Sequence, residues 1–100
     1  MTKDKIAGAL GLCRRAGKIV AGTYLVKEEI RLGRAALVLI ASDAGADAAK
    51  KLEALAVHRE ISVRRIPLTK AEMANAIGKS TEAVCVAIPK EFLNLVLASL

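Results

Sequence analysis

The side chains in this 100-residue chain that could do chemistry are few and scattered. His58 is the sole histidine; Glu60 lies near it, but no second imidazole or cysteine stands at ligand spacing, so neither a zinc site nor a nucleophile-base pair emerges. A solvent-facing histidine at a helix end is the plainer expectation. Cys13 and Cys85 fall in apolar surroundings, where burial raises a thiol pKa and makes it inert. They are expected as two buried thiols of a reducing compartment, not as a disulfide. Asp43 and Asp47 stand four apart at a helix start, where capping and the positive end of the helix dipole explain them more simply than catalytic carboxylates. Gly78-Lys79-Ser80 has the form of the end of a phosphate-binding loop, yet the first glycine of G-x-x-x-x-G-K-[ST] would fall on Met73, and a helix precedes it. A helix stop and a polar loop are expected there. No catalytic residue, metal or cofactor is predicted.

What remains is charge. The net charge is +6, and the segment from Met1 to Arg34 holds eight Lys/Arg against three acids, whereas Ala35 to Leu100 holds eight against seven. A concentrated basic third suits a polyanion, because Lys and Arg gain affinity by releasing counterions from phosphates. Arg14, Arg15 and Lys18 precede Gly22, and Lys27, Arg31 and Arg34 follow it. A glycine before a helix lets another backbone approach unpaired helix amides, which suits a phosphate or a polar base edge. From charge and spacing alone, a solvated basic face remains the alternative.

The elements that must position these residues alternate regularly. Ile6, Leu10 and Cys13 recur at helical spacing, with Thr2 as cap and Gly17 as stop. Lys18 to Ala21 reads as a brief strand, and Thr23 to Leu32 as a helix with Leu25, Val26 and Ile30 inward, ended by Gly33. Ala36 to Ala41 is a wholly apolar central strand. Asp43 is expected to cap a helix running to about Val57; Ile61 to Ile66 is a strand closed by Pro67. Arg64 and Arg65 should point to opposite faces of that strand, one of them on an exposed edge. Thr69 and Glu72 form a capping box for a helix ended by Gly78. Ala83 to Ile88 is a second apolar strand, and Pro89 fits the first turn of a last helix with Phe92, Leu93, Val96 and Leu97 inward. This order predicts one domain over residues 1–100, a three-layer α/β/α sandwich around a small four-stranded mixed sheet with about five helices.

Composition excludes other classes. Hydrophobic residues make up 54% of the chain but only Tyr24 and Phe92 are aromatic, so the core is aliphatic and single-strand stacking platforms are nearly ruled out. The N-terminus is a poor secretion signal, and no apolar run approaches the ~20 residues of a membrane span. A soluble, cytoplasmic monomer is expected.

The run LGLCRRAGKIVAGTYLVKEEIRLGRAALVLIASDA from Leu10 to Ala44, the ISV at Ile61 and AIGKSTEAVCVAI from Ala76 to Ile88 together resemble the ribosomal-protein superfamily that binds kink-turn RNA, in particular its bacterial YlxQ-like branch. The resemblance covers essentially the whole chain. It implies the sandwich just described and a non-enzymatic, ribosomal or ribosome-associated RNA-binding role. Family members read a bent RNA with a helix that starts after a glycine, through an Asn-Glu pair and a later lysine, while an apolar loop covers a flipped-out base. By that resemblance Gly22 matches the glycine and Lys18 a basic position before it. The Asn-Glu pair falls on Tyr24 and Leu25, the lysine on Glu28 with Lys27 beside it, and the covering loop on Lys79 to Glu82.

Leucine makes no hydrogen bond to a base edge and Glu28 repels phosphate, so binding dominated by phosphate contacts, with little sequence discrimination, is expected. Tyr24 either stacks on an unpaired base or shields the helix start. The expected contacts are Arg14, Arg15 and Lys18; Gly22, Thr23 and Tyr24; Lys27 and Arg31; and Lys79, Ser80 and Thr81. The partner is structured RNA, ribosomal or messenger, and translation or transcription proteins are further candidates. A protein-binding adaptor on the same fold is the alternative.

Overall fold

Alternation along two central strands decides which helices lie on which side. The structure, a computed structural model, describes residues 2–100. It has strands β1 (Val20–Ala21), β2 (Leu37–Ile40), β3 (Ser62–Arg65) and β4 (Cys85–Ile88) in the order β1-β4-β2-β3. β4 is antiparallel to both β1 and β2, and β2 is parallel to β3, so the sheet is mixed. Because successive strand residues face opposite ways, Leu37, Leu39, Val86 and Ile88 pack with α1 (Lys3–Arg15), α4 (Lys70–Ala76) and α5 (Leu93–Ser99). Val38, Ile40, Cys85 and Ala87 pack with α2 (Thr23–Arg31) and α3 (Ala46–His58). The expected three-layer sandwich, with five helices among the described residues, is the fold.

Helix ends follow local chemistry. Thr2 Oγ1 accepts from the Lys5 amide at 3.4 Å. Thr69 and Glu72 form the expected box, the Glu72 amide donating to Thr69 Oγ1 at 3.1 Å and the Thr69 amide to Glu72 Oε1 at 3.0 Å. At the end of α1 the Lys18 amide donates to the Cys13 carbonyl at 3.0 Å. Lys18 thus closes the helix, and β1 starts at Val20 instead of Lys18. α3 closes in the same manner through Ile61, with Glu60 at φ 58° in the position glycine usually takes.

Four expectations are corrected. Asp43 does not cap α3, whose N-cap is Gly45. The chain turns after β2, and Asp43 Oδ1 instead accepts from the Lys70 amide at 2.8 Å, holding the start of α4. Pro89 lies outside the last helix, preceding a 3₁₀ turn at Lys90–Phe92 that leads into α5. Leu97 is exposed, since Val96 and Ser99 take the inward positions of α5. Leu25 is 51% exposed, because it lies on a flank of α2 away from Val26 and Ile30.

The edge position of β3 agrees with its charge. Arg64 and Arg65 are both exposed, and Arg65 Nη1 donates to the carbonyls of Ala41 at 3.0 Å and Ser42 at 3.2 Å, fastening the end of β2.

Candidate nucleic-acid interface

The second helix begins at a residue that cannot cap it with a side chain. Gly22 has φ 95° and ψ 148°, a backbone state costly for any residue with a Cβ. Its amide donates to the Cys85 carbonyl at 3.0 Å and its carbonyl accepts from the Val26 amide at 2.9 Å. No side chain among the described residues caps the helix, so its first-turn amides have no side-chain acceptor there.

Beside this helix start lies a cavity of about 290 Å³. Ile19, Ala21 and Ile77 give it apolar walls, Leu25 stands on the α2 side, and Arg14 and Lys79 bring two cations from the end of α1 and the loop after α4. Leu25, expected in the core, is therefore an apolar wall of a surface cavity. The Arg14 guanidinium lies over Gly78, with its Cζ 2.7 Å from where a Cβ on that glycine would stand.

The remaining expected contacts distribute over other surfaces. Lys18 lines a cleft of about 370 Å³ with Glu29, Arg34 and Pro89, and its Nζ lies 3.7 Å from a Glu91 carboxylate oxygen. Lys27 and Arg31 line a groove between α2 and α3, and Arg31 Nη1 donates to Glu28 Oε1 at 2.7 Å. Tyr24 is 74% exposed and precedes Lys27 by one turn on the same flank. Thr23 is half-buried and hydrogen-bonded with the Cys85 thiol. Arg15, Ser80 and Thr81 are exposed and line none of these three depressions. Sequence reasoning missed Leu25 as a wall, and it missed Lys51 and His58, which join Lys27 and Arg31 in the groove. The signal for the last two was their separation of seven residues on one helix, which places both on one face.

Both thiols lie in the interior, an environment that disfavours the thiolate. Cys13 and Cys85 are both buried and unpaired in any disulfide. Burial pushes the Cys85 thiol up to about 11 against the opposing pull of the Thr23 hydrogen bond and the Lys27 charge, and burial likewise raises Cys13. Among the described residues no three His, Cys, Asp or Glu side chains are grouped to hold a metal ion, and no helix is long and apolar enough to cross a membrane.

The model of the ribosomal protein L7Ae/L30e/S12e/Gadd45 family matches residues 4–95. A relative named RNA-binding protein YlxQ, from Bacillus subtilis (strain 168), is 34% identical over 91 residues, covering 91% of this chain and 90% of that protein. A solved structure of a protein of unknown function from Bacillus halodurans C superposes with a TM-score of 0.86 at 28% identity and covers 94% of each chain. The Giardia lamblia 15.5kD RNA binding protein has a TM-score of 0.82 at 18% identity, covering 95% of this chain and 81% of that one, and so shares the fold. The chain therefore belongs to the ribosomal protein L7Ae/L30e/S12e/Gadd45 family, on its YlxQ-like branch.

Proposed function

We propose that this protein is a single-domain, non-enzymatic RNA-binding protein of the cytoplasm, acting as a monomer on structured ribosomal or messenger RNA. The observation that carries this reading is the cavity beside Gly22, where apolar walls and two cations meet next to a helix start without a side-chain cap. An unpaired base fits the apolar part, Arg14 and Lys79 meet the phosphates on either side of it, and the first-turn amides donate to a phosphate oxygen or to an acceptor on a base edge. Arg15, Lys18, Ser80 and Thr81, exposed outside the cavity, supply further contacts to the RNA backbone. The family membership and the name carried by the Bacillus subtilis relative support the same reading. A non-enzymatic reading accords with the burial of the two thiols and with the engagement of Asp43 and Glu72 in helix-start hydrogen bonds and of Glu28 in an ion pair.

Phosphate contacts dominate, and discrimination among kink-turn sequences is weak, because Tyr24, Leu25 and Glu28 cannot reproduce an amide-carboxylate-lysine reading set. The test is a mobility-shift titration on a kink-turn RNA at increasing salt, with wild type, Arg14→Glu and Lys79→Glu. Binding that weakens steeply with salt and falls in both variants supports the proposal; wild type that binds no structured RNA at low salt sinks it.

A protein-binding adaptor is the second reading, favoured by the exposure of Tyr24 and Leu25 side by side at the helix start. Capture of a protein partner that survives ribonuclease, together with no shift on RNA, would establish it.

A further inference from the structure

We propose that the groove between α2 and α3 is a second RNA contact, which holds the phosphate backbone of a stem continuing past the start of α2. This rests on the RNA-binding reading and extends it to a surface built partly by α3. The groove has a volume of about 580 Å³; its cationic side chains are Lys27 and Arg31 from α2 and Lys51 from α3, with His58 at the far end and Ala54 and Leu55 between them.

No acid lines the groove among the described residues. Glu28, the acid nearest in sequence to Lys27, is bound to Arg31 at 2.7 Å, and Asp47 stands one turn before Lys51, outside the groove. Neither Lys27 nor Lys51 takes part in an ion pair among the described residues. Four of the five ion pairs among the described residues engage cations outside the groove and the fifth engages Arg31, so the groove keeps one unpaired lysine on each wall, a field that attracts an anionic partner.

Geometry connects the groove to the first site. Tyr24, Lys27 and Arg31 follow one another at three and four residues, so they form one flank of α2 that runs from the glycine-opened start into the groove. The ends of the two helices are tied together, since Arg59 Nη1 donates to the Arg31 carbonyl at 3.0 Å, and the walls keep their spacing. A polyanion with regularly repeated charges matches such a track. A small anion would meet no buried polar side chain to fix it, because every cation of the groove sits on an open wall.

The test uses the full chain and two RNAs that share one kinked internal loop, one with a long flanking stem and one trimmed to the pairs that close the loop. Lys51→Glu is compared with Lys50→Glu, which makes the same charge change on an exposed neighbour outside the groove. The expected result is that Lys51→Glu weakens binding of the long RNA about tenfold and lowers its salt slope by about one, leaves the trimmed RNA unaffected, and exceeds the effect of Lys50→Glu. Circular dichroism should stay that of the wild type, and Lys51→Ala should give a smaller loss of the same kind. Unchanged affinity and slope on the long RNA, equal losses from the two glutamate variants, or equal losses on both RNAs would each overturn the groove assignment while leaving RNA binding intact. Competition by polyglutamate that Lys51→Glu abolishes, with RNA binding untouched, would overturn it in favour of an acidic polypeptide. Failure of the wild type to bind either RNA would instead overturn the underlying functional reading, and the groove assignment with it.

Discussion

The Arg14 guanidinium rests on Gly78, joining the last turn of α1 to the loop that follows α4; a Cβ at position 78 would stand 2.7 Å from Arg14 Cζ. Gly78 also has φ 70°, so Gly78→Ala meets backbone strain as well as the displaced side chain. We expect a loss of about 1 kcal/mol in stability by denaturant titration, mostly from the backbone. RNA affinity should fall further than this, because Arg14 is pushed out of the cavity wall. Arg14→Ala should lower RNA affinity several-fold with an unchanged melting temperature.

Glu60→Gly should stabilise the protein. Glu60 is held at φ 58° at the end of α3, and glycine relieves that strain at the cost of a more flexible unfolded chain. The net gain should be about 0.5 to 1 kcal/mol in urea unfolding. No gain would mean that the glutamate side chain makes a compensating interaction.

Asp43→Ala should damage α4 and spare α3. Its carboxylate accepts from the Lys70 amide, so the loss should be about 1 kcal/mol, and amide exchange should quicken at Lys70 while the first turn of α3 keeps its protection. Faster exchange at the start of α3 instead would return Asp43 to the role of cap for that helix.

Glu72 makes acid stability measurable. Its pKa is lowered by the hydrogen bond from the Thr69 amide, then by Lys3, whose Nζ lies 3.2 Å away. A carboxylate with a folded-state pKa below its unfolded value contributes stability above the unfolded value, about 4.3, and loses it as pH falls through the folded one. The stability of the wild type should therefore decline below about pH 4.3, and Glu72→Gln should flatten that decline. Thermal melts across the range would decide.

Both cysteines should resist labelling. With the Cys85 thiol at about 11, native protein at neutral pH should react with an alkylating reagent far more slowly than unfolded protein. Raising the pH from the ordinary thiol value, about 8.5, towards 11 should destabilise the fold, because the unfolded chain releases those protons first. Rapid, pH-dependent modification of native Cys13 would contradict its burial in the core.

The layers were legible because the apolar runs at Leu37–Ile40 and Cys85–Ile88 are bounded by turn signals and too short for helices. Asp43 was misread because a capping residue is recognised from its near neighbours, whereas its partner, the Lys70 amide, stands 27 residues away and arrives only through the fold. Leu25 was misread for a related reason: helical spacing separates apolar from polar positions, but it cannot separate a core contact from a cavity wall. Lys51 and His58 looked like an ordinary solvated helix face. Only the packing of α2 against α3 sets them opposite Lys27 and Arg31.

The bond from the Gly22 amide to the Cys85 carbonyl has a mechanical meaning. Cys85 opens a central strand and ends the segment that carries Lys79, so one latch ties the mouth of α2 to the loop facing it. In the proposed binding mode the two jaws are set before RNA arrives, and little ordering entropy should remain to be lost on binding. Exchange of that single amide, which should be slow in the intact protein, would report whether a variant has weakened the grip itself or has merely loosened the jaws.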